Sequence, residues 1–149
     1  MPSELPQTPW PNYCCCILRD STGRYLMEVR PPHEQRESGW ITCFGGGRLE
    51  GEHPDECIRR ELAEELGWTV EPGALEFCVR LVGTRNGQPR EIAWFYRATA
   101  PGPGVQLVTE PGVEAMWVEF EQTQETRVSL WHRAVIAAER AGESIARVP

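Results

Sequence analysis

Lysine is absent from the sequence: all 15 basic residues are arginine. That excludes Schiff-base chemistry and the phosphate-binding lysine of a Walker loop. Any direct grip on phosphate must come from arginine, backbone amides or a metal ion. Long apolar runs are missing too, since the longest, residues 14–18, falls far short of the roughly 20 residues that cross a bilayer. No membrane span is expected. Residues 1–11 hold four prolines and no basic stretch followed by an apolar one, so they do not read as a secretory signal, and a cytoplasmic address is expected. No Cys-x-x-Cys pair occurs among the six cysteines, which argues against zinc. Cys14, Cys15 and Cys16 are consecutive and Cys43, Cys57 and Cys78 stand alone, so reduced, mostly buried thiols acting as small hydrophobes are expected. Excess positive charge is also lacking. A net charge of −7 opposes long contacts with a nucleic-acid polymer, whose affinity comes from neutralised phosphates.

What is present suits one ordinary domain. With 149 residues, 40% hydrophobic and 25% charged, the chain can bury a core without staples, so a single domain over 1–149 is expected, with 1–12 as an extended segment. Segments 13–18 and 25–29 read as strands joined by Asp20-Ser21-Thr22-Gly23 and closed by Pro31-Pro32. A loop is expected over 33–39, then a short strand over 40–44 running into the loop Gly45-Gly46-Gly47. A helix follows at about 54–66: Pro54 suits its first position, Asp55 and Glu56 complement its dipole, and Gly67 supplies a left-handed stop. Strands are expected over 75–83 and 90–98 around the turn Asn86-Gly87, and a last strand over 115–120. A final helix over roughly 125–141 would bury Val128, Trp131, Val135 and Ala138. Helices among hairpin-linked strands predict an α/β domain with helices packed on a mixed sheet.

The helix at 54–66 carries the chemistry. At about 100° per residue, Glu61, Glu64 and Glu65 share one side, and Glu61 and Glu65 border the apolar stripe Ile58, Leu62, Leu66. Like charges so placed destabilise a helix, and partial burial adds a desolvation cost, so a cation is required. Arg60 can pair with Glu56 and Glu64 but leaves the Glu61/Glu65 edge short of positive charge. Hard carboxylates without His or Cys at ligand spacing point to Mg²⁺, with Mn²⁺ as its substitute. The glycines just upstream let a backbone approach an ion closely.

Taken whole, residues 46–68 match the Nudix box, Gly-x5-Glu-x7-Arg-Glu-U-x-Glu-Glu-x-Gly-U with U a bulky apolar residue. The matching positions are Gly46, Glu52, Arg60, Glu61, Leu62, Glu64, Glu65, Gly67 and Trp68, and a chance match at a given start is on the order of 10⁻⁹. From about residue 13 onward the chain resembles the Nudix hydrolase family, MutT-like members included. Trp68 where an aliphatic residue is usual, and Leu49 where many members carry an acid, are its two departures. The resemblance implies an α/β/α sandwich with a mixed β-sheet and a loop-helix-loop catalytic motif. It also implies that Glu61 and Glu65 ligate metal, with Glu64 in the same shell and a carbonyl of Gly45 or Gly46 as a further ligand. Glu52 would support this network from the loop, and Arg60 would orient the glutamates. A further acid from outside the box is expected near the last strand, with Glu114 the candidate, although an ordinary surface acid is an equal reading of it.

The implied reaction is Mg²⁺-dependent hydrolysis of a diphosphate linkage in a nucleoside diphosphate joined to another moiety, giving NMP plus a phosphorylated remainder. Residues 82–87 lack the Pro or Tyr marker of the ADP-ribose and dinucleoside-polyphosphate groups, which favours nucleoside triphosphates or nucleotide-sugars. Arg30, Trp40 and Trp94, with Tyr96, are candidates for holding phosphate or stacking on a base, although lone aromatics are more often core. The expected partner is a small nucleotide-like molecule, with no nucleic-acid polymer and no membrane, and a homodimer is left open. Two alternatives remain at this stage: a non-catalytic Nudix-fold nucleotide-binding module, and a Nudix-fold prenyl-diphosphate isomerase, which needs catalytic residues outside the box.

Overall fold

The computed structural model of the chain describes residues 5–6, 9–30 and 39–149. The stop at Pro31-Pro32 and the loop expected over 33–39, Gly39 apart, lie outside the described residues. The first hairpin forms as expected, from β1 (Tyr13–Arg19) and β2 (Tyr25–Val29). Its turn is tied by Asp20, whose Oδ1 accepts from the backbone N–H groups of Thr22 and Arg24, both at 2.9 Å.

The glycine triplet departs from expectation. Gly45-Gly46-Gly47 belongs to a strand, β4 (Phe44–Gly47), preceded by the two-residue β3 (Ile41–Thr42). β4 pairs antiparallel with Tyr13–Cys16 of β1, and β2 takes over from Leu18. One edge of β1 is therefore shared, and the sheet forks at Ile17. Glycine is required at Gly45, where φ is +150° and a Cβ would run into the backbone of β1.

Beyond the helix α1 (Pro54–Leu66) come β5 (Glu76–Arg85) and β6 (Gln88–Thr99), a hairpin whose turn residues Asn86 and Gly87 both have positive φ, 52° and 75°. Then follow β7 (Glu114–Val118), the one-turn α2 (Phe120–Thr123), α3 (Leu130–Arg140) and β8 (Ile145–Arg147), a strand absent from the sequence reading. The eight strands form one mixed sheet in the order β3-β2-β1-β6-β5-β8, with β4 beside β1 and β7 beside β2.

Strand alternation splits the core into two layers. Cys14, Cys16, Leu18, Leu26, Phe44, Trp94 and Tyr96 meet Ile58, Leu62 and Leu66 of α1. On the opposite face Cys15, Ile17, Met27, Val79, Leu81 and Phe95 meet Val128, Val135 and Ile136 of the α3 region. The helix α3 starts later than expected: it buries Val135 and Ala138 as expected, together with His132, Ile136 and Glu139, whereas Trp131 is 38% exposed. The α/β sandwich itself is as expected.

Candidate active site

The placement of α1 begins with its ends. His53 caps it by accepting the Asp55 N–H on Nδ1 at 3.1 Å, and Gly67, at φ 61° and ψ 24°, ends it by donating to the Ala63 carbonyl. The apolar stripe Ile58, Leu62, Leu66 pins the helix to the sheet, so that its acidic border lies over β4.

Arg60 gathers that border. Its Nε and Nη2 hold the Glu52 carboxylate as a fork, at 2.8 and 2.9 Å. Nη1 reaches Glu61 Oε1 at 3.0 Å and Glu64 Oε2 at 3.3 Å, while Nη2 also donates to the Gly47 carbonyl at 3.0 Å. One guanidinium thus joins the connecting loop, the glycine strand and two turns of helix. The Arg60 hydrogen bonds hold Glu52 down at about 2, whereas burial raises Glu61 above its ordinary value. The expected pairing with Glu64 is present, and the reach to Glu61 corrects the expectation that Arg60 leaves that acid uncompensated. Gly46 lies directly beneath Glu61, where a Cβ would stand 2.6 Å from Oε1. Only a glycine leaves room there for the carboxylate.

Glu65 is the deepest of the box acids, 3% exposed, with Oε1 accepting the Gly45 N–H at 3.0 Å. Its Oε2 is buried without a hydrogen-bond donor. The facing group is another carboxylate, that of Glu28 on β2, itself 2% exposed. Burial, and then the neighbouring Glu28, push Glu65 far above the usual carboxylate range. Glu28 escaped the sequence reading because it stands within an apolar strand. A charged residue in the run Tyr-Leu-Met-Glu-Val was the one signal that could have found it.

Among the described residues, no group of three His, Cys, Asp or Glu side chains already converges on one ligating point. The residues nevertheless fit a hard divalent cation. The donors are all oxygens, Glu65 Oε2 is buried without a hydrogen-bond donor, Glu28 Oε1 has among the described residues only its ion pair with Arg30, and the two buried carboxyl groups face each other. Glu61, Glu65 and the Gly45–Gly46 backbone would hold it. Glu64, with its side chain 52% exposed, stands at the rim.

The remaining candidates divide. Arg30 is brought to the site, its Nη2 lying 2.6 Å from Glu28 Oε1. Trp94 is not: it is fully buried, its indole N–H donates to Glu91 at 2.9 Å, and Phe77 packs on its ring, so no face is left for a base. Tyr96 is likewise core. Trp40 packs, half-buried, against the α3-side layer. Glu114 stands opposite Val29 in the β2–β7 register, and cross-strand partners share a face, so its side chain points away from α1. The residue facing the α1 layer beside Glu28 is Ala115.

A NUDIX domain match covers residues 9–138. No curated protein matches the chain by sequence. Solved structures of similar fold include a MutT protein from Methanosarcina mazei Go1, 22% identical with a TM-score of 0.66 over 92% of this chain and 97% of that one. A MutT protein from Bacillus halodurans is 20% identical with a TM-score of 0.68, over 91% and 86% of the two chains. An Ap4A hydrolase from C. elegans is 18% identical with a TM-score of 0.59, over 87% and 94%. Together with the arginine-clamped acids above the glycine strand, the match over residues 9–138 shows that this chain belongs to the NUDIX domain family of hydrolases.

Proposed function

We propose that the chain is a Mg²⁺-dependent pyrophosphohydrolase that opens the diphosphate linkage of a nucleoside triphosphate or nucleotide-sugar, releasing NMP and a phosphorylated remainder. The observation that carries this reading is the clamp of Arg60 on Glu52, Glu61 and Glu64, set over a glycine whose missing side chain admits Glu61. When bound, a divalent cation supplies a lowered pKa for water and offsets charge on the diphosphate. The chain's own residues do the rest. Glu61 and Glu65 would hold the cation from the helix, with Glu64 at the rim and a carbonyl of Gly45 or Gly46 as a further ligand. Arg60 keeps Glu61 from turning away. Arg30, beside the acids, is placed to take a substrate phosphate, since guanidinium and phosphate pair in a planar fork. The C. elegans protein of similar fold, named as an Ap4A hydrolase, supports a nucleotide-like substrate. The free thiols of all six cysteines accord with a cytoplasmic setting.

The test is a phosphate-release screen across nucleoside triphosphates, nucleotide-sugars, ADP-ribose and dinucleoside polyphosphates, with and without Mg²⁺. Mg²⁺-dependent release is expected in the first two classes, with most turnover lost in Glu61→Gln and Glu65→Gln. Nucleotide binding without any release would replace this reading with that of a binding module.

A further inference from the structure

We propose that Glu28 is a further ligand for the divalent cation of this site, closing it from the sheet while Glu61 and Glu65 close it from the helix. This deepens the hydrolase reading above and rests on it.

Three observations carry the assignment. Glu28 is buried in the middle of an otherwise apolar strand, at 2% exposure, where a carboxylate persists only when something compensates its charge. Alternation along β2 puts it on the face of Leu26, which packs in the α1-side layer, so it points toward the acidic border of α1. There it meets Glu65, whose Oε1 is committed to the Gly45 N–H and whose Oε2 has no donor. Two ionised carboxylates can only accept, so a proton joins them in the metal-free protein and a cation takes that proton's place when bound.

Charge points the same way. Arg60 holds Glu52, Glu61 and Glu64, and Arg30 holds Glu28, while among the described residues no guanidinium pairs with Glu65. Among the described residues, five carboxyl groups thus meet two guanidinium groups, which leaves room for a divalent ion. Arg30 pairs with Glu28 Oε1, which balances Glu28 in part but gives nothing to Glu65 Oε2. The competing account makes Glu28 a structural counter-ion for Arg30.

Mn²⁺ titration of the full-length protein followed by electron paramagnetic resonance, together with thermal melts, separates the two accounts. A ligand predicts that Glu28→Gln weakens Mn²⁺ by about tenfold or more, while the metal-free melting temperature stays level or rises because a buried like charge is gone. It also predicts that Arg30→Gln leaves Mn²⁺ affinity unchanged or tighter. Parent-like Mn²⁺ affinity in Glu28→Gln overturns the assignment, as does an equal loss in Arg30→Gln. If Glu28→Gln does not fold, Glu28→Asp keeps the charge but draws it back by one methylene, and undiminished Mn²⁺ affinity there overturns the assignment instead. Failure of the hydrolase reading shows differently: Mn²⁺ binding that depends on Glu28, with no diphosphate opened, would leave the ligand standing and remove the activity.

Discussion

At the scale of single residues, Arg60 and Gly46 allow the sharpest expectations. Lysine cannot reproduce a fork that grips Glu52 while touching Glu61, so Arg60→Lys should keep the charge yet lower kcat by about 10–100-fold, read in steady-state kinetics. Gly46→Ala places a methyl group against the Glu61 carboxylate and should cost turnover far more than folding, which paired activity and melting measurements would show. The acids respond to pH in opposite senses. Glu52 is held at about 2, below its ordinary 4.5, so its contribution is complete above that ordinary value and fades as pH falls toward 2. Glu65 is raised above 4.5, so the metal-free fold is favoured at low pH and loses stability as pH climbs past that value. Metal-free melts from pH 3 to 9 should therefore show a decline on the alkaline side that Glu65→Gln flattens. Mg²⁺ should bind more tightly as pH rises, because it competes with that proton. The box residues were readable because they repeat at helical spacing within a short segment. Glu28 was not, because its partner is distant in sequence and only the docking of α1 over β2 brings them together.

At the scale of elements, α1 was legible to its ends because its punctuation is local. Pro54 and Gly67 set the limits, and a three-residue apolar stripe set its inward face. Gly67→Ala should cost about 1–2 kcal/mol in denaturant unfolding, since φ is left-handed there and the new methyl group would press on Val108 at 3.3 Å. Less was readable where competing elements decide. The glycine triplet reads as a loop by composition but forms a strand because β1 offers a free edge at Tyr13–Cys16. The α3 stripe was misread at Trp131 because Val128 is buried before the helix begins, so it does not share the helix's phase. Glu114 was chosen for its nearness to the last strand, and the antiparallel register turned it to the other face.

At the scale of the whole molecule, the cation should act as part of the folded state. A ligand at a hundred times its Kd stabilises by about 2.7 kcal/mol, which for a domain near this size is a rise of roughly 5–10 °C. Calorimetry with saturating Mg²⁺ should show such a rise, reversed by chelator and absent in Glu61→Gln. The architecture as a class was legible, since hairpin signals and two amphipathic helices admit few other arrangements. The strand order was not, because the parallel pairings of β1 with β6 and of β5 with β8 join segments that no local pattern connects.

The fork at Ile17 gives the fold a mechanical property. β4 carries the glycine floor and β2 carries Glu28, each is stitched to a different stretch of β1, and β3, one residue upstream of β4, pairs Thr42 with Glu28 itself. The floor and the opposing carboxylate are therefore fastened to one another through two ladders, so the gap between them is set by backbone pairing rather than by the packing of side chains.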